Sequence, residues 1–266
     1  MRPRRVLVVV PTFDEADNVA PLAAGVLAAL SGGSSGEELR AELLFIDDAS
    51  PDGTAERVRA LAREDPRVRL LSRPRKLGLG TAYLAGFRTG LEEGFDLVVT
   101  MDADLSHDPA HLPALVAAAG EHDVVLGSRY APGGGVRHWG LHRRLLSRAA
   151  NAFARRALAL PVRDATSGFR AYRASALRAL HLESIRSSGY SFLEEITFLA
   201  ARRGLSLGEV PIVFCERRGG RSKISSAEIL LAAYHLARLR LSTLRGRPAR
   251  AAELPLGAPG AAAPEP

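Results

Sequence analysis

A single cysteine, Cys215, stands in 266 residues, so no intrachain disulfide can form and a reducing compartment fits best. No stretch approaches the roughly 18 to 20 consecutive apolar residues that a spanning helix requires. The opening MRPRRVLVVVP is basic and then apolar, but Pro11 closes that run too early for a secretory signal. A soluble or peripheral protein is expected. Aromatic residues make up only 6% of the chain and are scattered, which argues against a surface that stacks nucleic-acid bases. The seven histidines show no zinc-like spacing with cysteine. Walker A, GxSxG and GxGxxG patterns do not occur, and KLGLG at 76–80 falls short of a phosphate loop.

What the chain has in excess is positive charge, +7 formally, which suits anionic partners: nucleic acid, phosphorylated substrates or a membrane surface. Against that background, FDLVVTMDADLSHDP (95–109) gathers Asp96, Asp102, Asp104 and Asp108 around one apolar run. Such runs recur. Strands are predicted at 5–10, 41–46, 68–71, 97–101 and 124–127, and helices at 17–30, 55–64, 81–93 and 110–120. Strands alternating with helices imply an α/β protein with a mostly parallel central sheet flanked by helices. A basic amphipathic helix is expected at 137–160, a loop or short strand at DATSGFRAYR, a helix at 192–203 and a strand at 209–215. The last helix, 227–244, has an apolar face and a basic end, so it suits either a membrane interface or packing on the core. The Pro/Gly/Ala tail from about 245 reads as disordered. No internal repeat is visible.

Ligands of parallel sheets sit beyond the carboxyl ends of the strands. Three polar clusters fall there: PTFDE, DDASPDGT and DADLSHD. Asp102 and Asp104 are two apart, and on an extended strand end both would face one side. Two carboxylates sharing a site favour a hard divalent cation such as Mg²⁺ or Mn²⁺, completed by substrate phosphates. The blander reading makes one of them a helix cap and leaves the other solvated. Asp108-Pro109 reads as an N-cap followed by N1. Asp48 stands where a carboxylate can meet a nucleotide, whereas Asp52-Gly53 reads as turn chemistry. Arg129 follows a strand, Arg143 and Ser147 share a helix face, and RRGGRSK sets Arg217, Arg218, Arg221 and Lys223 around two glycines. Each suits a phosphate, although taken singly each reads more readily as a surface residue.

Taken together, PTFDEADNV, IDDASPDGTAE, KLGLGTAYLAG, MDADLSHDP, GSRYAPGG, DATSGFRAYR, GYSFLEE and EVPIVF…RRGGRSKIS resemble the polyprenol (dolichol) phosphate mannosyltransferases of inverting glycosyltransferase family 2. The match runs in order from about Val6 to Ser225. The resemblance implies a GT-A catalytic domain over 1–225, then the amphipathic helix of 226–244 and a tail of 245–266. It implies transfer of mannose from GDP-mannose to a polyprenyl monophosphate at the cytoplasmic face of a membrane, with Mg²⁺ or Mn²⁺ and no nucleic acid. Carried over residue by residue, Pro11, Phe13, Glu15, Ile46 and Asp48 would hold the nucleotide. Asp102, Ala103 and Asp104 would meet the metal and the donor diphosphate, with Ser106 near the metal. Arg129, Arg217 and Lys223 would bind phosphates, and Arg129, Arg143 and Ser147 would hold the acceptor phosphate. Asp102, Asp104 and Arg129 would be the catalytic set.

Relatives often carry Tyr-Asn where Phe13-Asp14 stands, and Gln where Ser106 stands. The transmembrane helices of some relatives are missing, as in forms that are peripheral or recruited by a separate membrane subunit. A phosphate acceptor needs no general base, so Glu194 and Glu195 are expected to position a loop or cap a helix. The competing readings are a polyprenyl-phosphate glucosyltransferase using a UDP-sugar, a non-enzymatic nucleotide or nucleic-acid binding module, and a sugar nucleotidyltransferase. The last would want a basic glycine-rich loop where PTFDEADN is acidic.

Overall fold

A computed structural model describes residues 5–31, 39–185, 187, 189, 191–216 and 240. The first strand, β1 (Arg5–Thr12), is a β-branched run whose Val6, Leu7, Val8, Val9 and Val10 are all fully buried, as a strand covered on both faces requires. Around it form α1 (Val19–Ser31), β2 (Arg40–Asp47), α2 (Thr54–Glu64), β3 (Val68–Ser72), α3 (Leu79–Glu92) and β4 (Leu97–Thr100). A 3₁₀ turn (Pro109–His111) then leads into α4 (Leu112–Ala118), β5 (Val124–Ser128) and β6 (Gly135–Val136). The remainder is α5 (Leu141–Leu158), β7 (Arg170–Arg173), α6 (Ala174–Ala179), α7 (Ser191–Arg202), β8 (Leu207–Pro211) and β9 (Val213–Phe214).

The main sheet runs β3-β2-β1-β4-β7-β5-β8, parallel throughout except for β7, which is antiparallel to both neighbours. Alternate β1 residues serve two cores. Leu7 and Val9 pack with Tyr83 and Phe87 of α3, while Val6, Val8 and Val10 pack with α1 and with Leu112 and Leu115 of α4. Parallel order brings the carboxyl ends of β1, β2, β4 and β5 to one edge, where the polar loops emerge.

Several expectations change. The long helix expected over 137–160 begins only at Leu141, because the small parallel ribbon of Gly135–Val136 with Val213–Phe214 runs on into it, with the Arg137 amide donating to Phe214 O at 2.8 Å. The strand expected over 209–215 is therefore two strands, β8 and β9, broken at the fully buried Ile212. DATSGFRAYR, expected as a loop or short strand, supplies the four-residue β7 between β4 and β5, inside the sheet. The 227–244 helix and the 245–266 tail lie outside the described residues, Arg240 excepted.

Two glycines let α3 lie close on the sheet: a Cβ at Gly86 would stand 2.4 Å from Val9 Cγ1, and one at Gly90 2.5 Å from Val98 Cγ2. Gly86→Ala is expected to lower the unfolding free energy by about 1–3 kcal/mol through overpacking, despite alanine's better helix propensity. Urea denaturation reads this; an unchanged midpoint would mean that α3 can lift off β1 at no cost.

Candidate active site

The loop after β1 is stitched to the loop after β2. The backbone amides of Asp14, Glu15 and Ala16 donate to Ser50 Oγ, Thr54 Oγ1 and Asp52 Oδ2 at 3.1, 3.0 and 3.0 Å. Burial pushes the Asp52 carboxyl up, but hydrogen bonds from Thr54 and Ala16 outweigh it and hold the pKa below the usual value. Asp52 thus does the turn chemistry expected of it, and Gly53 sits beside it at φ 86°. Asp48 pairs with Arg73, and its Oδ2 accepts from the amides of Leu77 and Gly78 at 3.0 and 3.3 Å. KLGLG is therefore held down by this carboxylate. Lys76 Nζ lies 4.0 Å over the Phe13 ring, and Glu15 accepts from Asn18 Nδ2 at 2.7 Å. Pro11, Phe13, Glu15 and Asp48 thus gather at the ends of β1 and β2, whereas the Ile46 side chain is fully buried in the core.

Beyond β4, the extended-strand geometry expected for Asp102 and Asp104 does not hold. The strand stops at Thr100, and the chain bends through Leu105, whose φ is 60°. A loop rather than the strand pleat presents the two carboxylates. Asp102 Oδ1 accepts from the Tyr83 hydroxyl at 3.2 Å. Burial, and then the Asp102 charge, push the Tyr83 phenol well above its usual pKa. A Cβ at position 168 would lie 3.1 Å from Asp102 Oδ1, so Gly168 allows DATSGF to pass against the carboxylate. Asp104 Oδ1 accepts from the Ser106 amide and hydroxyl, so buried Ser106 braces that carboxylate. Asp108 accepts from Ala110 N at 2.9 Å and caps the 3₁₀ turn, as its sequence position predicts.

Buried His107 stacks on Phe169 and meets Phe214 edge-on, each at 5.1 Å between centroids. Its Nδ1 accepts from the Asp102 amide at 3.4 Å. Burial holds its pKa below normal despite the nearby Asp102 and Asp104 charges. Among the described residues no three His, Cys, Asp or Glu side chains cluster as a ready-made metal site. Asp102 and Asp104 are two hard oxygen donors flanking Ala103, and the Asp102 side chain is 37% exposed. That donor set fits a hard cation whose remaining ligands come from substrate and water.

At the end of β5, Arg129 Nε and Nη2 donate to Asp164 Oδ2 and Oδ1 at 2.7 and 2.8 Å, with side chains only 8% and 0% exposed. The sequence reading gave Arg129 to phosphates; the structure gives it this carboxylate, and Thr166 accepts from Nη2 at 2.6 Å. The Asp164 loop is fixed from two further sides. Glu209 of β8 accepts from the Arg163 and Asp164 amides, and Asn151 of α5 bridges Arg163 O and Ala165 N. Ser147 on α5 shares a 2.8 Å hydrogen bond with the Tyr130 hydroxyl, while Arg143 lies 4.3 Å over Trp139 and pairs with Glu216 at 2.8 Å. Arg129, Arg143 and Ser147 thus converge around Tyr130 and Trp139. Arg217 and Lys223 lie outside the described residues. Tyr83, His107, Asn151, Asp164, Gly168 and Glu209 carried no assigned role from sequence, although DATSGF contains two of them.

Glu195 accepts from the Ser187 amide at 2.9 Å and so positions the preceding loop. Glu194 is buried, its Oε2 has no hydrogen-bond partner among the described residues, and burial raises its pKa to about 7.

A family model for "Glycosyl transferase family 2" matches residues 7–180. The chain belongs to that family. It is 46% identical over 221 residues to an undecaprenyl-phosphate mannosyltransferase of Micrococcus luteus, covering 83% of this chain and 88% of that protein. Identity to a polyprenol monophosphomannose synthase of Mycolicibacterium smegmatis is 42% over 250 residues, 91% of each chain. The fold resembles that of Mycobacterium tuberculosis glucosyl-3-phosphoglycerate synthase, solved with Mn²⁺, UDP and glucosyl-3-phosphoglycerate, with a TM-score of 0.60 at 22% identity over 91% of this chain and 80% of that one. Mannosyl-3-phosphoglycerate synthase of Rubrobacter xylanophilus gives the same TM-score, 0.60, at 20% identity over 95% and 78%. This family 2 chain has the GT-A architecture, a mostly parallel sheet flanked by helices.

Two stability predictions follow from the buried charges. Burial alone would raise the Asp164 pKa, but the Arg129 charge and the hydrogen bonds from Arg129 and Thr166 together outweigh it and hold it below normal. The pair's stabilisation is therefore complete above the unfolded value near 4 and is lost as pH falls through the lower folded value. Asp164→Asn, which strands the Arg129 charge, is expected to cost about 3–5 kcal/mol at neutral pH and to flatten acid unfolding. For Glu194 the sign reverses, because its folded pKa is raised. Stability should fall as pH rises from the unfolded value of 4.5 to about 7. Glu194→Gln should remove that slope and stabilise the protein at pH 8 by up to about 3 kcal/mol; a slope that persists would place the titration elsewhere.

Proposed function

We propose that this chain transfers mannose from GDP-mannose to a polyprenyl monophosphate, giving polyprenyl phosphate β-mannose and GDP at the cytoplasmic face of a membrane. The observation that carries the reading is the juxtaposition of two halves through one loop. Gly168 lies against Asp102, and a few residues earlier Asp164 and Ala165 tie Arg129 and α5 to the same segment. The names of the two curated relatives support the acceptor class and the sugar.

Pro11, Phe13, Glu15 and the Asp48-fastened KLGLG loop would wall the nucleotide. Asp102 and Asp104 would hold a Mg²⁺ or Mn²⁺ ion against the donor diphosphate, and such an ion supplies neutralisation of the charge that builds on departing GDP. Ser106 keeps Asp104 aimed, and Tyr83 keeps Asp102 aimed. Arg143 and Ser147 would receive the acceptor phosphate, with Arg129 a positioning residue that holds their surroundings in shape. Arg217 and Lys223 would add phosphate-binding cations. The acceptor is a phosphate monoester with a second pKa near 6, so its oxygen attacks the anomeric carbon without surrendering a proton to the enzyme. Buried Glu194 and loop-holding Glu195 accord with a reaction that has no protein base. Attack opposite the departing diphosphate inverts the α-linked donor.

Incubation with labelled GDP-mannose or UDP-glucose, Mg²⁺ or Mn²⁺ and a short polyprenyl phosphate tests the reading. Mannose transfer is expected, lost on chelation, with no glucose transfer. Asp104→Ala should lower kcat/KM by about a hundredfold or more with an unchanged melting temperature. Transfer from UDP-glucose instead, or full activity in that variant, sinks the assignment.

A further inference from the structure

Trp139 is the chain's only tryptophan and stands just ahead of α5, buried at 8% exposure. Its Nε1 has no hydrogen-bond partner among the described residues. Burying that donor unpaired is a cost that leucine or phenylalanine would not carry, so packing alone does not account for a tryptophan here. What sets the indole apart is its electron-rich face. Two guanidinium groups lie over the ring, Arg143 at 4.3 Å and Arg129 at 6.0 Å from the centroid. Arg129 is buried and locked by Asp164, whereas Arg143 is 37% exposed and within reach of an incoming anion.

The indole is in turn fixed relative to the acidic loop. The Phe214 ring meets Trp139 edge-on at 5.4 Å and meets His107 edge-on at 5.1 Å. Strand β9, which carries Phe214, is bonded on both of its edges. Toward β6 and Trp139, Ile212 O and Phe214 O accept from the Gly135 and Arg137 amides at 3.0 and 2.8 Å. Toward the acidic loop, the Cys215 amide donates to Ser106 O at 3.0 Å and the Val213 amide to His111 Nε2 at 3.2 Å. Contacts thus run unbroken from His107, whose Nδ1 accepts from the Asp102 amide, to the Arg143 guanidinium.

We infer that Trp139 is a positioning residue for the acceptor phosphate: its face aims the Arg143 guanidinium, and Phe214 and His107 hold that aim at a set spacing from the acidic loop. A planar guanidinium stacked on an aromatic face keeps its N–H edge free to donate to phosphate oxygens. An unstacked arginine would lose more side-chain freedom on each encounter, and the stack supplies that order beforehand. The identity of the phosphate as the sugar acceptor rests on the proposed function; the dependence of Arg143 on Trp139 does not.

Calorimetric titration of the full-length protein with a short polyprenyl phosphate tests this without any sugar transfer. Trp139→Leu should weaken binding by about three- to tenfold. Trp139→Phe, which keeps a π face, should stay within about twofold of the wild type. Arg143→Ala should weaken binding by itself, and adding Trp139→Leu to it should weaken binding no further. In transfer assays the KM for the acceptor should rise with the dissociation constant while the KM for GDP-mannose stays unchanged, a split that general loosening of the fold would not give. Arg143 lies at the rim, so Arg143→Ala also reads the contact in an intact fold. Trp139 fluorescence should shift in that variant, and should respond to the phosphate in the wild type alone. Additive losses in the double variant, undiminished binding by Trp139→Leu, or binding as weak in Trp139→Phe as in Trp139→Leu would each overturn the inference. So would Trp139 emission indifferent both to Arg143→Ala and to the phosphate. If the cycle holds while the wild type transfers no mannose, the proposed function fails and the positioning role stands.

Discussion

The buried pair of Arg129 and Asp164 is the constraint on which the site depends. Removing both charges from water is costly unless every remaining hydrogen-bonding group is satisfied. Here the surroundings supply that: the Arg129 amide also donates to Asp164 at 3.0 Å, Thr166 accepts from the guanidinium, and Glu209 takes the amide of Asp164 itself. Asp164 therefore has little freedom to move, and neither has its loop. Because Gly168 of that loop abuts Asp102 and Ala165 is held by Asn151, one ion pair sets the distance between the acidic loop after β4 and the basic helix α5.

The same logic orders the acidic residues. Asp47 is fully engaged by Thr12 and Ser50, Asp48 by Arg73 and two amides, Asp52 by Thr54 and Ala16, and Asp108 by Ala110. Each is held by hydrogen bonds within its own wall of the cleft. Asp102 and Asp104 are aimed by the hydroxyls of Tyr83 and Ser106 at the loop after β4. Two carboxylates aimed from one loop are the arrangement that a hard cation and a diphosphate would complete.

The sheet was legible because its strands are buried on both faces and read as continuous β-branched runs. The clustering of PTFDE, DDASPDGT and DADLSHD at one edge then followed from parallel order alone. What the sequence could not disclose were features defined by distant neighbours. RAYR looks polar, yet Arg170 is fully buried with its nitrogens on the carbonyls of Ser167, Leu193 and Ala165 and on Thr197, which lets β7 occupy the sheet centre. The ribbon of β6 and β9 has only two residues per strand and no periodicity to detect. Arg129 stood out in the sequence, but its carboxylate partner, Asp164, lies 35 positions away, where no local pattern points to it. The shift of Asp102 and Asp104 from strand to bend likewise depends on Leu105 adopting a positive φ, which no local signal announces.

Glu194 bears on the proposed chemistry from a different direction. A carboxyl raised to about 7 by burial would be a tempting general base. Its position argues otherwise. It is enclosed within α7, and the shift arises first from desolvation, with Arg170 opposing it and Asp164 adding to it. A base must reach the proton that it removes, and a phosphate acceptor presents none at neutral pH. The raised pKa is then better understood as a cost of packing beside the Arg170 core than as catalytic tuning. On the proposed reading the reactivity resides in the charges of the two substrates, and the protein's part is to hold opposite charges at fixed spacing.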